Sequence, residues 1–131
     1  MKLYNVMSTY ELKGTKTTPT VQFDAENGYL LLEGKSSPEN SVAFYSPLFE
    51  AIQNANQKDT FKVDVKLIYF NTSTVRCLNL LFKIFTDKKD NGSQVTINWF
   101  AEDDDLDMIE MGEDFEEISE LPFNYITIDD E

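Results

Sequence analysis

Three hydroxylated residues in a row, Thr72-Ser73-Thr74, follow Asn71 and precede Val75-Arg76-Cys77-Leu78. A serine or threonine hydroxyl can accept a phosphoryl group, which adds nearly two negative charges and three strong hydrogen-bond acceptors. Whether such a group is welcome depends on the flanking elements. Upstream, Phe61-Lys62-Val63-Asp64-Val65-Lys66-Leu67-Ile68 alternates apolar and charged residues, the period of a half-buried strand. Downstream, Leu78-Asn79-Leu80-Leu81-Phe82-Lys83-Ile84-Phe85 is an apolar-rich helix pattern. The hydroxyls therefore fall at a strand-to-helix junction, where the first helical N–H groups are unpaired and the helix dipole is positive. Arg76 lies one turn after Thr72, within reach of a phosphate there. It heads a polar stripe of Arg76, Asn79, Lys83 and Asp87 on a helix that is otherwise apolar almost all round. Asn71 to Thr74 are also good capping residues, and capping is the ordinary role of such a cluster.

Other chemistries find fewer tools. The chain has no histidine, which removes Ser-His-Asp and Cys-His catalysis, His-containing zinc sites and the usual near-neutral base. Its single cysteine, Cys77, allows no internal disulfide and sits among Val75, Leu78, Leu81 and Phe82, which reads as a buried, inert thiol. Asp103, Asp105, Asp107 and Asp114 have the spacing of an EF-hand loop. Met108, however, occupies the place where that loop needs glycine, so a solvated acidic face is the better reading. Pairs such as Glu110 with Glu113 or Asp114 could do acid–base work, but in so acidic a run their spacing carries almost no information. No metal or cofactor is expected.

At 131 residues the chain has the length of one domain, able to bury about two-thirds of its unfolded surface. With 41% hydrophobic and 13% aromatic residues it is globular in composition. No apolar run is long enough to span a bilayer, so no membrane insertion is expected, and Met1 to Val6 lacks a signal-peptide layout. The expected location is the cytoplasm. The formal charge of −13 is unevenly placed. Residues 102–131 hold 14 acids and no base, while residues 1–101 hold 10 acids against all 11 bases. That balance argues against nucleic acid as a partner and favours basic proteins.

Along the chain, residues 1–16 are weakly patterned and read as a frayed lead-in to a single domain spanning 1–131. Strands are expected at 20–24 and 29–34, joined by the Asn27-Gly28 turn. Ser37 as N-cap with Pro38 at the first helical position predicts a helix over 38–56, and Ser46-Pro47 predicts that it is kinked or in two parts. A strand at 61–70 and a helix at about 73–88 follow, closed by Asp90-Asn91-Gly92. Then come a strand at 95–100, an acidic amphipathic helix over about 103–119 carried by Met108, Met111, Phe115 and Ile118, and a last strand at 123–128. The order β-β-α-β-α-β-α-β predicts an α/β fold, a mixed, mostly parallel sheet with about three helices packed on it.

Several of these segments together resemble the SiaC family of bacterial biofilm-regulation phosphoproteins, whose fold is related to the STAS domains of anti-sigma-factor antagonists. The matching segments are Thr18-Pro19-Thr20-Val21-Gln22-Phe23-Asp24, Gly34 with Ser37-Pro38-Glu39-Asn40, and Tyr69-Phe70-Asn71-Thr72-Ser73 with Cys77-Leu78. Asn98-Trp99-Phe100, Gly112-Glu113-Asp114-Phe115 and Leu121-Pro122-Phe123 extend the match towards the end of the chain. The resemblance implies a STAS-like, non-enzymatic switch. In that family the threonine of Asn-Thr-Ser is phosphorylated by a dedicated Ser/Thr kinase and dephosphorylated by a PP2C-type phosphatase. The unmodified form binds and activates a diguanylate cyclase, raising cyclic di-GMP. Carried over, Thr72 is the phosphoacceptor, with Asn71, Ser73, Thr74, Arg76, Tyr69, Pro38, Glu39 and Asn40 as its surroundings and partner surface. Ser73 and Thr74 remain alternative acceptors. Two other readings stand beside the switch: a phosphorylation-independent STAS-like binding module with an acidic surface, and a carboxylate- or metal-dependent hydrolase using Asp103 to Asp107.

Overall fold

The computed structural model describes residues 9–128. Six strands form one sheet in sequence order: β1 (Tyr10–Leu12), β2 (Thr20–Asp24), β3 (Tyr29–Ser36), β4 (Thr60–Phe70), β5 (Gln94–Glu102) and β6 (Phe123–Ile128). The β1/β2 and β2/β3 pairs are antiparallel; β3/β4, β4/β5 and β5/β6 are parallel. Each parallel step is bridged by a helix: α1 (Ser41–Asn54), α2 (Thr72–Asp90) and α3 (Leu106–Ser119). The sheet is α/β and mostly parallel, as its sequence pattern predicts.

Alternation in the strands decides where the helices sit. Phe61, Val63, Val65 and Leu67 of β4 are buried beneath the helices with Val95, Ile97 and Trp99 of β5, whereas Lys62 points to the other face and is exposed. On the helix side α2 contributes Cys77, Leu78, Leu81, Phe82 and Phe85, each at most 1% exposed. Full burial of a side chain of this size contributes about 2–3 kcal/mol, so α2 is the central beam of the core. Trp99 lies under α3, donating from Nε1 to the Met108 carbonyl at 2.9 Å. A β-carbon at Gly112 would stand 2.7 Å from its indole ring, so only glycine lets the helix approach this closely.

The structure corrects four expectations. First, the supposed lead-in is partly a strand: β1 pairs Tyr10 with Phe23 and Leu12 with Val21, a pairing too short to show as a pattern. Positions 1–8 of that lead-in lie outside the described residues. Second, α1 starts at Ser41, not at Pro38. The Ser37 N–H is held by the Thr17 carbonyl at 2.7 Å, proline keeps the residue before it extended, and Asn40 becomes the cap, its Oδ1 accepting from Ala43 N at 3.1 Å.

Third, α1 runs unbroken through Pro47. Both Pro47 and Ala43, whose carbonyl the proline orphans, face solvent, while Tyr45, Leu48 and Ile52 pin the helix to the core. Fourth, α3 begins at Leu106 because Asp105 caps it through Met108 N at 3.1 Å, leaving Asp103 and Asp104 in a turn. Its Ile118, expected to face inward, is 69% exposed. Among the described residues no helix is long and apolar enough to cross a membrane.

Candidate functional site

Strand β3 shifts register against β4 between Gly34 and Lys35, and Gly34 has φ +113°, a conformation that side chains other than glycine's rarely adopt. The shift brings Ser36 opposite Phe70, so the Ser36 carbonyl accepts the Asn71 N–H at 3.0 Å. Asn71 caps α2 through Oδ1, which accepts the Thr74 N–H at 3.0 Å. The chain leaving β4 is thereby fixed one residue before the three hydroxyls.

Those hydroxyls face three different environments. Thr74 is fully buried; its Oγ1 donates to the Ser36 carbonyl at 3.1 Å and lies 2.9 Å from Ser36 Oγ. Ser36 Oγ in turn lies 2.6 Å from the Tyr45 hydroxyl, which closes a buried relay between β3, α1 and α2. Burial pushes the Tyr45 phenol up to about 12. Ser73 donates to Asn71 Oδ1 at 3.1 Å and lies 2.6 Å from Ser41 Oγ, a bond that ties the first turn of α2 to the first turn of α1. Thr72 is exposed, and its hydroxyl makes no side-chain hydrogen bond among the described residues. One hydroxyl of the three is free.

Thr72 stands on the rim of a groove of about 1120 Å³ between the three helices. Its walls combine Glu39, Asn40 and Val42 of the α1 start, Thr72, Ser73, Arg76, Leu80 and Lys83 of α2, and Ile118 of α3. Val42, Leu80 and Ile118 are 54%, 47% and 69% exposed. Three large aliphatic side chains are thus open to solvent around one concavity. Arg76 is the only arginine in the chain. Lys83 lies 3.7 Å from Asp87 in an exposed pair that leaves both side chains largely in water. The groove thus carries cations in a protein of net charge −13. The N-termini of α1 and α2 also converge here, joined by the Ser41–Ser73 bond, so two helix dipoles present their positive ends beside Thr72.

The residues marked in the sequence divide accordingly. Thr72, Ser73, Arg76, Glu39 and Asn40 come together on the groove. Asn71 and Thr74 lie behind it as cap and buried relay. Pro38 and Tyr69 are not part of its lining, and Tyr69 is half exposed on β4. The aliphatic members Val42, Leu80 and Ile118, and the Ser41 tie, were not foreseen. Leu80 carried a signal, since its place falls beside the polar stripe rather than opposite it. Burial raises the Cys77 thiol, with Arg76 opposing, so Cys77 is no nucleophile. Among the described residues no cluster of histidine, cysteine, aspartate or glutamate is arranged to hold a metal ion.

Comparison with known proteins bears on this arrangement. A solved structure of apo-SiaC from Pseudomonas aeruginosa superposes with a TM-score of 0.81 at 25% identity, over 91% of this chain and 98% of that one. SiaC in a Pseudomonas aeruginosa complex of the diguanylate cyclase SiaD with its activator SiaC shares the fold, with a TM-score of 0.83 at 24% identity over 91% and 99% of the two chains. An uncharacterized protein of Pseudomonas aeruginosa strain UCBPP-PA14 is 27% identical over 119 residues, 89% of this chain and 94% of its own length. The family model described as SiaC family regulatory phosphoprotein matches residues 12–128, nearly the whole described fold. The chain therefore belongs to the SiaC family of regulatory phosphoproteins.

Proposed function

We propose that this protein is a non-enzymatic, cytoplasmic, single-domain switch whose groove docks a protein target, and that reversible phosphorylation of Thr72 controls docking. The observation that carries this reading is the free, exposed Thr72 hydroxyl on the rim of a groove lined by exposed aliphatic side chains. Ser73 and Thr74 are engaged in hydrogen bonds, so a kinase meets Thr72 first. A phosphate on Thr72 sits at the joined N-termini of α1 and α2, one turn from Arg76, and is accommodated without refolding. What it alters is the groove. A dianion now stands where a partner meets a neutral hydroxyl, and Arg76 turns to the phosphate rather than to the partner. The target class follows from the relative whose complex holds a diguanylate cyclase. A Ser/Thr kinase and a PP2C-type phosphatase write and erase the mark.

The test is a phosphate-affinity gel of the native protein with a phosphatase-treated lane, the site being read by fragment mass spectrometry. Binding of unmodified protein, phosphoprotein and Thr72→Glu to a diguanylate cyclase from the same cells is then compared. The expected result is phosphate on Thr72 and a loss of affinity of about 100-fold or more on phosphorylation, the order for a dianion placed in an interface that fits a neutral hydroxyl and for the loss of Arg76 to the partner. Absence of phosphate from residues 71–74 in every growth condition overturns the switch. Equal binding by Thr72→Ala and Thr72→Glu does too, and leaves a phosphorylation-independent binding module with an acidic surface.

A further inference from the structure

Strand β6 closes the sheet on the side away from β1, and among the described residues nothing pairs with its outer edge. Ile97 N donates to the Pro122 carbonyl, which sets the parity of this parallel ladder. Asn124, Ile126 and Ile128 bond towards β5, so Phe123, Tyr125 and Thr127 direct their backbone groups outward. The Phe123 N–H is already taken by Glu116 Oε2 at 3.2 Å. Among the described residues, nothing pairs with the outward backbone N–H and C=O groups of Tyr125 and Thr127.

Edge strands of soluble proteins are usually blunted by proline, a charged side chain or a bulge. Phe123-Asn124-Tyr125-Ile126-Thr127-Ile128 has none of these, and its register with β5 is unbroken. The two faces of this edge differ in chemistry. On the helix side Tyr125 OH donates to Glu116 Oε1 at 2.5 Å, and Glu113, Glu116 and Glu117 share one face of α3. Burial first, then the Glu116 bond and the charges of Glu116 and Glu113, push the Tyr125 phenol up. On the helix-free side Ile126 and Ile128 are each more than a third exposed, with Ile68 of β4 at 58%. Residues 102–131 supply 14 acids and no cation.

We propose that the β6 edge is a second docking site, distinct from the Thr72 groove, which takes an extended segment of a basic protein as a seventh strand. The outward backbone groups of Tyr125 and Thr127 supply the ladder. Alternation dictates the guest: lysine or arginine at every second position towards the α3 glutamates, and aliphatic residues between them towards Ile126 and Ile128. A second copy of this chain is the wrong occupant, because pairing two such edges would bring two acidic flanks together.

The probe is a synthetic eight-residue peptide alternating lysine and valine, against one of the same composition with lysines and valines in separate blocks. Both are titrated into the full chain while amide hydrogen exchange is followed by NMR. The alternating peptide is expected to bind more tightly, to slow exchange at Tyr125 and Thr127 and to leave groove residues unshifted. Its affinity should fall several-fold on raising salt from low to physiological strength, and about five- to tenfold in Thr127→Pro, which removes one outward donor. The wild-type exchange data stand alone should that variant fold poorly. Equal binding of both peptides without protection of β6 overturns the proposal. So does protection that appears without peptide as the protein dimerises with concentration.

Discussion

The two ends of helix α2 use similar polar side chains to opposite purposes. At its C-terminal end Lys88 and the residues it meets are tied down. Lys88 is 8% exposed, lies over the Phe61 ring at 5.5 Å and donates to the Ala55 carbonyl at 2.9 Å, which holds the end of α1. Gln57 reaches the Lys88 carbonyl at 2.8 Å and also bonds Ser93 Oγ, and Ser93 bonds the Lys58 carbonyl. At the N-terminal end an equal supply of donors leaves one hydroxyl unused, Thr72, beside three exposed aliphatic side chains. The same beam is anchored at one end and kept available at the other. A recognition surface needs both, since a free group discriminates only when its position is fixed.

If that contrast is real, substitutions at the closed end should cost stability and those at the open rim should not. The largest loss is expected for Lys88→Ala, about 3 kcal/mol in urea unfolding. It removes the aliphatic stem from Phe61 and leaves the Ala55 carbonyl without its donor. Lys88→Met, which keeps the stem, should recover a good part of this, because burial alone depresses the Lys88 pKa and so opposes its charge. If Lys88→Ala unfolds like wild type, the closed end is not an anchor.

The buried relay behind the groove gives the next largest effect, and it is read by pH. Tyr45 has a folded pKa of about 12 against an ordinary 10.0. A group whose folded pKa is raised contributes stability that is complete below the unfolded value and is lost as pH rises towards the folded one. The expected loss is about 2–3 kcal/mol between pH 10 and 12. Tyr29 is also pushed up to about 12, by burial first and by its bond to Asp64, so wild type alone does not isolate the relay. The difference in pH slope between wild type and Tyr45→Phe does. Parallel slopes would remove Tyr45 from the account.

Thr74→Val tests the same relay from α2. The hydroxyl is buried and serves Ser36 twice, so its loss leaves Ser36 under-bonded in an apolar setting and should cost about 2 kcal/mol. This site also shows what the sequence could and could not disclose. Asn71 as a cap, the junction of β4 with α2 and the place of Arg76 one helical turn after Thr72 were legible, because capping and helical spacing are local. The ranking of Thr72, Ser73 and Thr74 was not. It depends on Ser36 and Ser41, partners 38 and 32 residues away, brought in by the β3/β4 register shift.

The start of α1 was misplaced for the same reason. Ser37-Pro38 is a sound local signal, but the Thr17 carbonyl, 20 positions upstream, holds Ser37 extended. Ile118 and Leu80 have helical spacing that fits a core as well as a groove. Only the packing of three helices against one face of the sheet decides between the two. Position along an element was readable; which face a third element leaves open was not.

The smallest expected effect lies on the residue that matters most to the proposed function. Thr72→Val should change unfolding free energy by no more than about 0.5 kcal/mol, because the side chain is exposed and makes no hydrogen bond to lose. Its β-branched replacement also keeps the shape of the first helical turn. Thr72→Glu should be as mild or slightly stabilising, since a carboxylate at the first turn of α2 meets the positive ends of two helices and Arg76. On the proposed function the same two variants part company in the presence of the target: valine leaves docking largely intact, and glutamate weakens it. A residue that a fold ignores and a partner reads is one whose charge can change without unfolding the protein. Should Thr72→Val instead destabilise the protein as much as Thr74→Val, the free hydroxyl would be a structural cap after all, and the distinction between the two ends of α2 would fail at its most exposed point.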